Sequence, residues 1–347
     1  MGMLKLVKSG DFLAASLNME LSVKTGKWHT ASGVKCELLG RGILQITPPD
    51  LAEDTKDIVL SSGVHGDETS PIELVQQLAR RILVDGLVPA HRLLLIIGHP
   101  EAINLHKRFV VENMNRLFNT ENPTENPDCL RANELQQAVI NFYSHPDRQQ
   151  ASRWHLDLHC AIRDSEHYTF AVSPFTENPT RSKALFSFMQ RAELEAVLLS
   201  SSSSSTFSWF SAEKFSAQAL TVELGKVAKF GENDLERLAA FDQAMLELVT
   251  VPQVEYHWQG DLLSIYKVTR TLVKQTDEFK LNFPNDQANF TFFDQGKLLG
   301  SDEGVEYFAL EGGEAVVFPN ANVALGQRAC LLVRKTEVNL GEQITVK

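Results

Sequence analysis

Two histidines and two glutamates in this 347-residue chain have the types and surroundings to do chemistry together. His65 and Glu68 stand three apart in Ser61-Ser62-Gly63-Val64-His65-Gly66-Asp67-Glu68. His159 closes Trp154-His155-Leu156-Asp157-Leu158-His159, and Glu223 lies in Ala219-Leu220-Thr221-Val222-Glu223-Leu224-Gly225. An imidazole nitrogen and a carboxylate oxygen suit Zn²⁺, but a catalytic zinc takes three protein ligands and keeps another position open. His159 is the best third ligand. Its segment alternates like a strand, which puts Asp157, two residues back, on the same face as a candidate to orient the imidazole. Glu223, a lone glutamate in an apolar run, is costly if buried unpaired. Beside a metal its raised pKa suits a general base to zinc-bound water. One Zn²⁺ per chain is expected, on His65, Glu68 and His159, bringing the pKa of its water toward about 7.

The ends of strands must position these groups. Asp57-Ile58-Val59-Leu60 reads as a strand that breaks at Gly63 and Gly66, before a helical pattern starts at Thr69. His65 and Glu68 therefore occupy a strand-to-helix crossing, where open α/β sheets carry their sites. Ser70-Pro71-Ile72-Glu73 resembles a capping box, which makes Glu73 a cap and not a ligand. Ile72, Val75, Leu78, Ala79 and Ile82 form the apolar face of a helix running to about Leu83. The run from Arg92 to Gly98 reads as a central strand buried on both faces. Residues 104–127 lack periodicity and read as a long loop, marked as functional by Arg108, Asn115 and Arg116. A helix is expected around residues 129–143, a strand over 167–173, and helices over 181–196 and 232–248. The serine run 200–205 reads as a surface connection. Residues 1–56 read as edge strands. Composition changes near Val251-Pro252, and the short alternating runs beyond it read as a small all-β domain. The expected division is a catalytic part, 1–251, and a β-rich part, 252–347.

His-Gly-Asp-Glu after one strand, Asp-Leu-His after a second and Val-Glu-Leu-Gly after a third resemble the zinc carboxypeptidase superfamily, in its aspartoacylase and succinylglutamate desuccinylase branch. His99-Pro100-Glu101-Ala102, Arg108-Phe109 and Asn115-Arg116-Leu117-Phe118 are similar to that branch's Asn-Pro-x-Ala, Arg-Phe/Tyr and Asp-Leu-Asn-Arg-x-Phe elements. Here His99 replaces the asparagine, and Asn113-Met114 replaces Asp-Leu. The resemblance covers roughly residues 57 to 225. It implies an α/β fold, a zinc-carboxypeptidase-like mixed sheet flanked by helices, with the smaller β-rich C-terminal domain walling an active-site channel. It also implies amide hydrolysis, with Arg108 facing the tetrahedral oxyanion and Asn115 and Arg116 gripping the substrate α-carboxylate. Arg163, four residues past the third ligand, could face a second carboxylate or be a solvated arginine paired with Asp164 or Glu166. Residues 63–73 and 158–163 look most like the desuccinylase members of the branch. That implies N-succinyl-L-glutamate as substrate, succinate and L-glutamate as products, and a place in arginine catabolism. A deacylase of another N-acyl amino acid, resembling aspartoacylase, and a non-catalytic zinc or carboxylate-binding protein stay open beside it.

Composition bounds the partners. A net charge of −11 argues against nucleic-acid binding, which needs a basic face, and any dicarboxylate substrate needs local arginines to overcome the long-range field. No run of 18 apolar residues predicts a membrane span. The first residues lack a signal-peptide core, so a cytoplasmic location is the default. The four cysteines form no CxxC pair and read as free, buried thiols; Cys160 should face away from His159. His91, His106, His145, His155 and His167 have no partner spacing that sets them apart. The expected partner is a small molecule, and a homo-oligomer is left open.

Overall fold

The computed structural model describes residues 2–52, 54–119, 122, 126–253, 258–340 and 344–346. In chain order its first ten strands are β1 (Gly26–His29), β2 (Lys35–Gly40), β3 (Ile43–Thr47), β4 (Asp57–Ser62), β5 (Arg92–Ile97), β6 (Arg153–Ala161), β7 (Thr169–Ser173), β8 (Ala196–Leu199), β9 (Gln218–Lys226) and β10 (Ser264–Val273). They join one mixed 13-stranded sheet in the order β1-β2-β3-β5-β4-β6-β9-β7-β8-β10. Its centre is the parallel quartet β5-β4-β6-β9, in apolar runs buried on both faces. The strands expected in the first 56 residues are β1 to β3. Because β5 covers β3, only β1 is a true edge.

Helices cover both faces. They are α1 (Met3–Lys8), α2 (Phe12–Leu17), α3 (Thr69–Leu83), α4 (Pro100–Asn104), α5 (Pro127–Tyr143), α6 (Lys183–Arg191), α7 (Phe207–Phe215) and α8 (Ala239–Thr250). One core packs α1, α2, α3, α6 and α8 against Ile58, Leu60, Trp154, Leu156, Leu158, Leu220 and Val222. A second packs α5 and α7 against Val59, Leu94 and Ile96. The strand period of two explains the split. On β6, Trp154, Leu156 and Leu158 serve the first core, and His155, Asp157 and His159 face the α7 side.

Several expected elements differ in detail. The capping box is not formed. Glu68 is the N-cap residue of α3 and makes no side-chain cap bond, Ser70 donates to Leu224 O, and Glu73 accepts from Gly231 N and Asn233 Nδ2. Tertiary partners have taken both groups. The helix expected over 181–196 ends at Arg191, and a left-handed Glu193 (φ 52°) turns the chain into buried β8. The helix expected over 232–248 starts at Ala239 and runs to Thr250. The short helices α1, α2 and α7 were not expected. The loop after α4 holds one 3₁₀ turn, Met114–Arg116; its residues 120, 121 and 123–125 lie outside the described ones.

Past Val251 come β11 (Lys280–Leu281), β12 (Phe292–Phe293), β13 (Leu298–Asp302), β14 (Val305–Phe308), β15 (Glu314–Val317), β16 (Arg328–Lys335), β17 (Val338–Leu340) and β18 (Ile344–Val346). The sheet does not stop at the expected division. β10 pairs in parallel with β8 and antiparallel with β16, and β15 and β12 complete the order. The four cysteines are free and buried. Among the described residues no helix is long and apolar enough to cross a membrane.

Candidate metal and acid–base site

The site is built where β4, β6 and β9, neighbours in the sheet, reach their carboxyl ends. After Ser62 the chain turns at Gly63 (φ +64°) and passes α4 at Gly66, where a Cβ would lie 2.2 Å from Ala102 C and 2.4 Å from Ile103 N. Only glycine fits there. The turn carries His65 and Glu68 over the end of β6, where both are buried with His159. His65 Nδ1 lies 2.9 Å from Glu68 Oε1, and His159 Nδ1 lies 2.8 Å from Glu68 Oε2 and 3.2 Å from His65 Nδ1.

Outer partners set the orientation of both rings. His159 Nε2 donates to Asp157 Oδ2 at 2.9 Å, and His65 Nε2 donates to Asn113 Oδ1 at 2.9 Å. Each neutral ring then aims an Nδ1 lone pair inward, at the other ring and at a carboxylate. Such a convergence is repulsive unless a cation fills it. Without a metal a proton does so. Although burial opposes its charge, Asp157 and Glu68 hold His159 well above the usual histidine range. His65 is pushed down to about 4 by burial and by the charge of Arg108. Burial also opposes the charge of Glu68, but His65, His159 and Arg108 hold it well below the usual carboxylate range. The three ligand atoms lie within 4.8 Å of one another, and two imidazoles with one carboxylate fit a Zn²⁺ site with an open position.

Glu223 is the register partner of His159 across β6 and β9. It is 8% exposed, and its Oε2 is buried with no hydrogen-bond partner. Burial, then the charge of Glu68, raises its pKa to about 7. An orphaned carboxylate beside two imidazoles and a second carboxyl can take and return a proton near neutrality.

The loop after α4 supplies the remaining groups. Arg108 Nη1 donates to Glu68 Oε1 at 2.5 Å from a half-buried position, so in this state it faces a ligand carboxylate. Asn115 is buried. Its Oδ1 accepts from Phe207 N and its Nδ2 stands 3.4 Å from His159 Nε2, so it ties the loop to α7 beside the cluster. Arg116 follows with its Nη1 on Asn115 O. Arg163 is not brought into the cluster; its Nε donates to Asn285 O, and Asp286 is its charged neighbour. Cys160 turns away as expected, toward Ser70 Oγ, but its backbone N–H donates to Glu68 Oε2.

Three features escape a motif reading. Asp128, fully buried, accepts from the N–H groups of Val110, Val111 and Glu112 and from His99 Nε2, so it clamps the loop that carries Arg108. His99, which departs from the branch pattern, is thus an anchor. Arg328, at the start of β16, sits 5.7 Å over the Phe318 ring, which lies 5.8 Å from Phe170, the register partner of Glu223. Arg116 is an exposed residue. Burial, then the charges of Arg328 and Arg108, lowers its pKa to about 10. Among the described residues neither Arg116 nor Arg328 pairs with a carboxylate. Third, His155 joins the site through Ser61 and Asp157. Its signal was the period of two in His155-x-Asp157-x-His159.

Residues 54–249 match the family model described as the succinylglutamate desuccinylase/aspartoacylase catalytic domain, and residues 261–336 that of the AstE/AspA barrel-sandwich hybrid domain. The chain is 46% identical over 323 residues to the succinylglutamate desuccinylase of Vibrio vulnificus, covering 93% of each. Among solved structures, that of the same enzyme from Vibrio parahaemolyticus superposes with a TM-score of 0.89 at 43% identity, covering 97% of this chain and 98% of that one. The Chromobacterium violaceum counterpart gives 0.83 at 33%, covering 94% and 98%.

Proposed function

Because the chain belongs to the succinylglutamate desuccinylase/aspartoacylase family, we propose that it is a zinc-dependent amide hydrolase that splits N-succinyl-L-glutamate into succinate and L-glutamate. The observation that carries this reading is the unpartnered Glu223 Oε2 beside a convergent His65, Glu68 and His159. Those three residues would hold the metal, which as a Lewis acid supplies an activated water and polarises the scissile carbonyl.

The chain's own groups do the rest. Glu223, poised near neutrality, accepts the proton of the attacking water and returns it to the leaving amine nitrogen, so one carboxylate serves as base and then acid. Arg108 leaves Glu68 to meet the developing oxyanion; such a donor supplies about 2.7–4 kcal/mol of transition-state stabilisation. Asn115 holds the loop in place. Arg116 and Arg328, without carboxylate partners among the described residues, bind substrate carboxylates, against the unfavourable long-range field of a protein of net charge −11. The role in arginine catabolism follows from this substrate, and a cytoplasmic setting fits the four free, buried thiols.

The test is kcat/KM of the zinc-loaded protein on N-succinylglutamate, N-acetylaspartate, N-acetylglutamate and a blocked dipeptide, measured together. N-Succinylglutamate should lead. A lead for N-acetylaspartate would move the protein to the aspartoacylase side of the family, and turnover of none would remove the hydrolase reading.

A further inference from the structure

Behind the candidate metal cluster lies a buried file of polar groups of which the chemistry above uses only Asp157. Ser211 Oγ on α7 is 2.7 Å from His155 Nδ1, His155 Nε2 is 2.8 Å from Ser61 Oγ, and Ser61 Oγ is 2.6 Å from Asp157 Oδ1. Asp157 Oδ2 then meets His159 Nε2 at 2.9 Å. Ser61, His155, Asp157 and Ser211 are at 0% exposure, so no water competes for these bonds.

The directions of the bonds follow from chemistry. The Asp157 carboxylate can only accept, so the Ser61 hydroxyl and His159 Nε2–H both donate to it. With its hydrogen committed, Ser61 Oγ can only accept from His155 Nε2–H. His155 is neutral, because burial pushes its pKa down to about 4, so its Nδ1 carries the lone pair and accepts from Ser211. Every bond points one way toward Asp157, and reversing any one would leave a buried group unsatisfied. The sheet fixes the spacing: Ser61 and Asp157 are register partners across β4 and β6, and the His155 ring packs edge-on against Phe207 of α7 at 4.7 Å.

We propose that Ser211, His155 and Ser61 are positioning residues, a relay that locks the Asp157 carboxylate and, through it, the tautomer and aim of His159, and so sets how tightly the cluster holds its metal. The proposal rests on the reading of His159 as a metal ligand. It extends the orienting role of Asp157 by three residues and makes α7 part of the metal site.

The test is the zinc dissociation constant of the full-length protein, by competition with a coloured chelator, alongside thermal unfolding of the metal-free form. Outer partners of a ligand commonly carry a 10- to 100-fold effect on affinity, so Ser61→Ala, one bond further out, should weaken zinc binding by about three- to tenfold. Ser62→Ala is the control. It removes an equally buried hydroxyl from the same strand, one bonded to Ile96 O, and should leave affinity unchanged. Ser211→Ala should weaken binding in the same direction by less. The Ser61→Ala/Ser211→Ala double variant should bind as Ser61→Ala does, because the relay is already cut at Ser61. Equal affinity for the Ser61 and Ser62 variants, or additive losses in the double variant, would overturn the relay. If Ser61→Ala does not fold, the Ser211→Ala affinity decides alone, and an unchanged value refutes the proposal. Absence of zinc binding by the wild type would instead overturn the metal reading of the site.

Discussion

Replacing Glu223 by glutamine keeps the shape of the side chain and removes its capacity to take a proton. General bases contribute about 10²–10⁴-fold. At 1.36 kcal/mol per tenfold this is about 3–5 kcal/mol of barrier, expected in kcat with little change in KM. Metal content should stay at that of the wild type, since Glu223 is not one of the three ligands. A second consequence concerns stability. The Glu223 carboxyl has a pKa near 7 in the folded, metal-free chain and near 4.5 unfolded, so the folded state binds its proton more tightly. The stability this gives is full below pH 4.5 and is lost as pH rises through about 7. Glutamine has no proton to lose. At 1.36 kcal/mol per pH unit, the metal-free variant should gain about 3 kcal/mol over the wild type between pH 4.5 and 7. Urea unfolding of both proteins at pH 4.5, 6 and 7.5 measures it. With metal bound, the cation lowers the Glu223 pKa, so the acid limb of kcat/KM should lie at or below pH 7 and vanish in the variant. Activity within about tenfold of the wild type would show that Glu223 is not the base, and a stability difference that does not vary with pH would show that its carboxyl is not strained.

Dialysis against a chelator should abolish turnover and drop the melting temperature, and one equivalent of Zn²⁺ per chain should restore both; retained activity in a metal-free sample would refute the metal site. Asp128→Ala leaves three backbone N–H groups and the His99 ring without their acceptor, so it should cost about 3 kcal/mol of stability, raise KM and open residues 108–113 to limited proteolysis. Arg328→Ala should raise KM for a substrate with several carboxylates by about tenfold while sparing kcat, with a weaker salt dependence of kcat/KM. An unchanged KM would place Arg328 outside the substrate's reach.

The parts of the site that were legible in the sequence are those that local chemistry fixes. A glycine-flanked His-x-x-Glu between an apolar run and a helical pattern reads as a strand-to-helix turn, and Asp-x-His at a strand end puts two polar groups on one face. The structure brings His65, Glu68 and His159 together for that reason. Less legible were groups whose partners come from far along the chain. Ser70 and Glu73 have the spacing of a capping box, yet Leu224, Gly231 and Asn233 claim them. Arg163 and Arg328 were indistinguishable from surface arginines: Arg163 bonds Asn285 O in a turn 122 residues along the chain, and Arg328 lies over Phe318, just past the end of β15. The segment 181–196 misleads for a different reason. Ala196–Leu199 is a four-residue apolar run, too short for its period to tell a buried strand from the end of a helix.

The ladder between β8 and β10 has a mechanical consequence. Four registered pairs, from Ser264 beside Ala196 to Lys267 beside Leu199, weld the two halves of the chain along a line of backbone hydrogen bonds. Halves joined only by a linker and a modest contact would be free to swing. These cannot open like a clamshell without tearing a ladder out of the sheet. Movement near the cluster is therefore left to side chains and to the loop held by Asp128, and a chain cut at residue 252 would bare the flank of β8 as a sticky template for aggregation.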